Sequence, residues 1–300
     1  MLLAISYIIG QLNGPLVKLI DFVKQLQDTK ISLERLNEIH LKENESVITN
    51  NVIALDGNEN LSIEYLIFKY LGTSQNVLQK FSLNIPANKT TAIVGVSGSG
   101  KTTLMKLLMK FYEPQEGHIQ VGSHRLFNIS HSQWREHCGV VMQDGYLFND
   151  TIANNITIGV DIIDKKRLGE AAELANIREF IDSLPLGYNT KVGMDGMGIS
   201  GGQKQRILIA RAIYKNPKIV FFDEATSSLD ANNEKNITEN LKTFFNNRTV
   251  VIIAHRLSTV KDADNIVVID NGQVIEQGTH GQLIANKGNY YKLIKNQLQV

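Results

Sequence analysis

The chain has 300 residues, 43% hydrophobic and 20% charged, enough to bury a sizeable core, and 23 glycines and five prolines in a mixed composition exclude collagenous and disordered classes. Thirty-one Lys and Arg against 30 Asp and Glu leave a net charge of +1, which excludes a protein held on nucleic acid by bulk electrostatics. The single cysteine, Cys138, excludes an intrachain disulfide framework and a cysteine-built zinc site, and fits a reducing, cytosol-facing domain.

Met1–Gly10 (MLLAISYIIG) is an apolar run. It is too short to cross a bilayer alone, which takes about 20 residues, and no basic residue precedes it as in a signal peptide. Residues 12–40 carry Leu16, Leu19, Ile20, Val23, Leu26, Leu33, Leu36 and Ile39 near helical spacing, which predicts one long amphipathic helix. Residues 41–50 (LKENESVITN) lose the period and read as a linker.

Ser62–Tyr70 and Val77–Ile85 then read as antiparallel strands around a turn at Leu71–Asn76. Four later runs are short and continuously apolar: Thr91–Val94, Gly139–Met142, Ile219–Phe222 and Val250–Ala254. Such runs suit a parallel sheet covered on both faces. Each is followed at once by a glycine or a polar residue, Gly95, Gln143, Asp223 and His255. Ligands of open α/β sheets bind beyond the carboxyl ends of the strands, so four distant segments deliver these residues to one edge. Helices are predicted at Thr103–Phe111, Lys165–Ser183 and Gly201–Lys215.

Gly95-Val96-Ser97-Gly98-Ser99-Gly100-Lys101-Thr102 fits G-x-x-x-x-G-K-[ST], after a strand and before a helix. Its glycines let backbone N–H groups turn inward on phosphate oxygens, and the helix adds its positive end. Lys101 supplies a mobile charge for β- and γ-phosphates and Thr102 a hydroxyl for Mg²⁺. Ile219–Phe222 ends in Asp223 and Glu224, whose side chains leave the strand in opposite directions. Asp223 suits Mg²⁺, and Glu224 suits a water that attacks phosphorus. Ile199-Ser200-Gly201-Gly202-Gln203 opens a second helix whose bare N–H groups suit an anion, with Ser200 as its cap.

This order of motifs resembles the nucleotide-binding domain of ATP-binding cassette (ABC) transporters over roughly residues 50–300. ISGGQ resembles the family signature LSGGQ, with Ile199 departing from it, and the other two segments are the Walker A and Walker B matches. The resemblance implies an α/β fold: a P-loop NTPase (RecA-like) core with an antiparallel β subdomain and a helical signature subdomain at about 146–215, preceded by a long N-terminal helix. It implies that Tyr70 stacks on adenine, and that Gly95, Ser97, Gly98, Ser99, Gly100, Lys101, Thr102, Thr103 and Gln143 line the ATP site. Thr102, Gln143 and Asp223 would arrange Mg²⁺. Ser200, Gly201, Gly202 and Gln203 would meet the partner's ATP, and Asp230 belongs to the D-loop match SSLD. Glu224 and His255 would be catalytic, His255 as the switch histidine in IIAHRLST. The other six histidines show no metal spacing, and Trp134, Arg135 and Cys138 read as packing and surface.

The resemblance further implies a head-to-tail pair of cassettes, with each ATP between one phosphate loop and the other's ISGGQ. A second cassette, most simply an identical chain, and an exporter's transmembrane domain are the expected partners; nucleic acid is not. Residues 1–48 would be the end of the last transmembrane helix and its cytosolic linker, and 49–300 the cassette, at the cytoplasmic face of a bacterial membrane. The chain most resembles the C-terminal part of bacterial peptide (bacteriocin-type) exporters. Where those carry an acidic stretch before the signature, this sequence has TKVGMDG, with Lys191 and Met194. Two alternatives stand beside export of peptides: a free-standing ATPase subunit on a separate permease, and an exporter of lipids or drugs. A DNA-repair-type ATPase would place coiled coils or zinc modules between phosphate loop and signature, where this chain has only an ordinary helical insert.

Overall fold

The computed structural model describes residues 2–41, 55–193, 196–225, 231–254 and 257–298. The chain divides into two units, Met1–Val47 and Ile48–Val300. The first is one helix, α1 (Leu2–His40), of 39 residues, or about 58 Å at 1.5 Å per residue. The apolar start and the amphipathic stretch are therefore continuous, through Pro15. Leu16, Leu26 and Leu36 are each more than half exposed. Among the described residues no helix is long and apolar enough to cross a membrane.

The second unit opens with β1 (Leu61–Phe68) and β2 (Leu78–Ile85), antiparallel as expected and paired from Leu61↔Ile85 to Phe68↔Leu78. β3 (Thr90–Val94) leads through the glycine loop into α2 (Lys101–Leu108). β4 (Glu116–Val121) and β5 (His124–Arg125) complete a four-stranded sheet in the order β2-β1-β4-β5. α3 (His131–His137) precedes β6 (Cys138–Val141). The middle of the chain is mainly helical: β7 (Asp150–Thr151), α4 (Ile152–Ile156), α5 (Lys165–Leu174), α6 (Arg178–Asp182), β8 (Lys191–Val192) and α7 (Gly201–Lys215). Then follow β9 (Ile219–Asp223), α8 (Ala231–Phe245), β10 (Thr249–Ile253), α9 (Leu257–Val260), β11 (Asn265–Asp270), β12 (Gln273–Gly278), α10 (His280–Asn286) and α11 (Asn289–Leu298).

The large sheet has the order β12-β11-β3-β10-β9-β6 and is parallel except for β12. Its side chains alternate between two cores. Val94, Phe222, Ile252 and Val268 pack with Ile207 of α7, Ile237 of α8 and Tyr290 of α11. Ile93, Phe221, Val251 and Val267 pack with Leu104 and Leu108 of α2 and with the antiparallel sheet. Both faces are covered, which is why these strands read as unbroken apolar runs. Trp134 and Cys138 are buried in the second core, and the Trp134 indole donates to Leu108 O at 2.8 Å.

Two helix expectations need correction. Lys165–Ser183 is two helices, because Asn176 adopts a left-handed φ of 52° that ends α5 before α6 begins. The helix expected at Thr103–Phe111 begins two residues earlier, at Lys101, and ends at Leu108.

Candidate functional site

The glycine loop is shaped by its neighbours. A side chain at Gly95 would place a Cβ 2.1 Å from Ile269 O, so no larger residue fits. Gly100, at φ 104°, is the N-cap of α2 and gives that helix no side-chain cap. The first N–H groups of α2 therefore stay available to an anion, whereas Ser130, Thr151 and Asp164 cap α3, α4 and α5 with their side chains. Ser97 and Gly98 are exposed, and Ser99 is buried with a hydroxyl that has no hydrogen-bond partner.

Lys101 is buried and its ammonium donates to Gly95 O at 2.9 Å and Val96 O at 2.8 Å. Burial pushes its pKa down, and Glu224 and Asp223 oppose that shift. The side-chain hydrogen bond between Thr102 and Asp223 puts the end of β9 against the start of α2. Asp223 is 2% exposed and is bonded to the Thr102 side chain. Its Oδ1 is buried without a partner. A hydroxyl and a carboxylate with a vacant oxygen are hard ligands, so the residues present fit Mg²⁺. Burial, and next Glu224, raise the Asp223 carboxyl above its ordinary value, while Thr102, Lys101 and Lys106 pull it down.

A carboxyl raised in this way holds its proton more tightly folded than unfolded. It lowers stability above its folded pKa, and the penalty fades as pH falls through that pKa. Asp223→Asn is therefore expected to raise the melting temperature of the nucleotide-free chain at neutral pH. The gain should vanish in acid. Thermal unfolding at two pH values checks this, and a lower Tm at neutral pH would count against the buried charge as a cost.

Glu224 follows with φ 49°, an uncommon backbone for a residue with a side chain, and its N–H donates to Ile253 O at 3.1 Å. Gln143 is exposed, two residues beyond β6, where Val141 pairs with Phe222 next to Asp223. Tyr70 is half-buried; its hydroxyl shares a 3.0 Å hydrogen bond with the Thr103 hydroxyl, so it stands beside the first turn of α2. Thr103 is itself buried. His255 and Asp230 lie outside the described residues.

The ISGGQ segment forms a reciprocal cap. Ser200 Oγ accepts from Gln203 N at 3.2 Å, and Gln203 Oε1 accepts from Ser200 N at 2.8 Å. The Ser200 hydroxyl proton and the Gln203 amide N–H groups remain for an outside acceptor. Gly201 is exposed and Gly202 half-exposed at the positive end of a 15-residue helix. Arg206, one turn on, donates to Asn176 O at 2.6 Å and fixes this end of α7 to the break between α5 and α6.

Two supports were missed from sequence. Tyr112, 43% exposed, packs edge-on against Tyr70 at 5.3 Å and widens the aromatic platform. The β11–β12 hairpin braces the glycine loop: Gly272 N donates to Ser99 O at 3.1 Å. Its signal was the Asn271-Gly272 pair between two strand-like runs, and both residues take positive φ, 45° and 73°.

The chain matches the protein family described as ABC transporter over residues 78–227. It is 41% identical over 292 residues to "Alpha-hemolysin translocation ATP-binding protein HlyB" of Escherichia coli O157:H7, covering 97% of this chain and 41% of that protein. It is 40% identical over 302 residues to "Leukotoxin export ATP-binding protein LtxB" of Aggregatibacter actinomycetemcomitans, covering 100% of this chain and 42% of that protein. The chain thus spans about two fifths of the length of these relatives. Among solved structures, "Structure of a bacterial Atm1-family ABC exporter with ATP bound" superposes with a TM-score of 0.82 at 37% identity, over 90% of this chain and 47% of that one. The matched span holds the glycine loop, the two strand-end carboxylates and the capped ISGGQ helix, and with half of its residues inside it the chain belongs to the ABC transporter family.

Proposed function

We propose that this chain is an ATP-hydrolysing cassette that powers export across a membrane, with a peptide or protein as cargo. The observation that carries the reading is the meeting of Lys101, Thr102, Asp223 and Glu224 beyond the carboxyl ends of β3 and β9. Support for the cargo comes from the relatives, whose names describe hemolysin and leukotoxin translocation. The chain would act at the cytoplasmic face, joined to a transmembrane domain.

In this reading the glycine loop and the bare end of α2 bind the phosphates, and Lys101 leaves Gly95 O and Val96 O for them. Tyr70, with Tyr112 behind it, offers a ring face to adenine. Thr102 and Asp223, with Gln143, would hold Mg²⁺. The metal would neutralise charge on the phosphate oxygens. Glu224 orients water, whose oxygen forms a bond to the γ-phosphorus as the bond to the ADP oxygen breaks. His255 is assigned to the γ-phosphate. The work of these residues is positioning and charge compensation.

One chain supplies two unlike half-sites, the phosphate loop and the ISGGQ helix end. A complete site then needs a second cassette, taken to be an identical chain in head-to-tail order. Phosphate release measured across a dilution series at saturating Mg²⁺ and ATP should show activity per chain rising with chain concentration and then levelling. Constant activity per chain throughout, from a sample monomeric by light scattering, rejects the shared site.

A further inference from the structure

A glycine loop has little of its own to hold it in shape, because glycine gives up more conformational freedom on ordering than any other residue. Within residues 95–100, Ser99 N reaches Val96 O at a long 3.3 Å, and the Ser99 hydroxyl has no hydrogen-bond partner. Lys101 ties Gly95 O and Val96 O at the start of the loop. In the proposed site that tie is given up when Lys101 turns to phosphate. A hold that nucleotide does not release lies at the far end of the loop.

It comes from the β11–β12 hairpin. β11 runs parallel to β3 as far as Val268↔Val94 and continues beside the loop, where Ile269 O closes on Gly95. At the tip Gly272 N donates to Ser99 O at 3.1 Å, and Gly272 O accepts from Gln79 N, also at 3.1 Å. Gly272 thus joins the glycine loop to the start of β2 through its own peptide groups. The fit is close: a Cβ on Gly272 would lie 2.3 Å from Val77 O, and one on Gly100 would lie 3.2 Å from the same oxygen. Val77 is itself tied to β1, its N–H donating to Phe68 O at 2.7 Å.

The bond from Gly272 sets a direction. The Ser99–Gly100 peptide is trans, so its C=O and N–H point to opposite sides. With the carbonyl held by Gly272, the Gly100 N–H faces away from the hairpin. We propose that the Asn271-Gly272 tip is a positioning element of the nucleotide site, fixing the Gly100 N–H as a donor to a phosphate oxygen before nucleotide arrives. The proposal rests on the glycine loop as the phosphate site. In this role Gly272 acts through Ser99 and Gly100 and need not touch nucleotide. Asn271 supplies the turn, at φ 45° and with its side-chain amide donating to Asp270 Oδ2 at 3.2 Å. Asparagine tolerates that backbone, whereas a β-branched residue is strained in it.

Trinitrophenyl-ATP and trinitrophenyl-adenosine, titrated by fluorescence into the full chain with Mg²⁺, separate the contribution of the phosphates from that of the base. Gly272→Ala drives a methyl group against Val77 O. Asn271→Val strains the exposed tip and adds nothing at that contact. Each is expected to weaken the ATP analogue by about tenfold, the loss of a preorganised donor, and to leave the adenosine analogue unchanged. Asn271→Gly, which keeps the turn and loses the bond to Asp270, should match the native chain with both. The ratio of the two affinities is the reading, since partial unfolding lowers both alike. An unchanged ratio in Asn271→Val overturns the hairpin's role, whether or not Gly272→Ala folds. A native chain that binds both analogues equally overturns the phosphate site, and the hairpin's role with it. A ratio lost in Lys101→Ala and kept in the hairpin variants leaves the phosphate site standing and removes the hairpin alone.

Discussion

Glu224→Gln is expected to bind ATP as the native chain does and to lose turnover by about 10²–10⁴-fold, the range for removing a positioned general base. The substitution is nearly isosteric, and the left-handed backbone at this position, φ 49°, is kept in place by the bond from its N–H to Ile253 O. What changes is the charge proposed to attract a proton of the attacking water. The loop around Lys101 is untouched, so affinity is preserved. With hydrolysis blocked, ATP-loaded pairs should accumulate, visible as a dimer peak in gel filtration with Mg²⁺ and ATP. Wild-type phosphate release from this variant would remove Glu224 from its role.

Lys101→Ala should fail at the earlier step. The native ammonium is buried and satisfied by two loop carbonyls, and in the proposed site nucleotide phosphate would replace these with stronger, charge-assisted bonds. Loss of that exchange is expected to cost roughly 3 kcal/mol, on the order of a hundredfold in Kd. Val96 is exposed and Gly95 partly so, which lets water replace the lost donor. The fold should therefore survive, with a Tm close to that of the native chain. Titration with a fluorescent ATP analogue reads the affinity directly. An unchanged Kd would show that the loop backbone alone supplies the phosphate site. The two variants separate binding from chemistry, because in the proposed site Lys101 touches phosphate before reaction and Glu224 acts on the water.

The sequence by itself determined the parallel core strands, the glycine loop, the acidic strand end and the capping of α7, since each depends on residues adjacent in the chain. Four apolar runs ended in the residues that a sheet edge would gather, and Ser200 with Gln203 carried its own cap geometry. The β11–β12 hairpin was equally legible at Asn271-Gly272 and was passed over. Only the tertiary structure decided that Gly272 braces Ser99, that Tyr112 stands behind Tyr70, and that Asp223 lies close enough to Lys101 for each to shift the other. It also decided that Lys165–Ser183 breaks at Asn176, where α7's Arg206 takes the freed carbonyl. Such features depend on groups brought together from distant parts of the chain, which local periodicity and spacing do not encode.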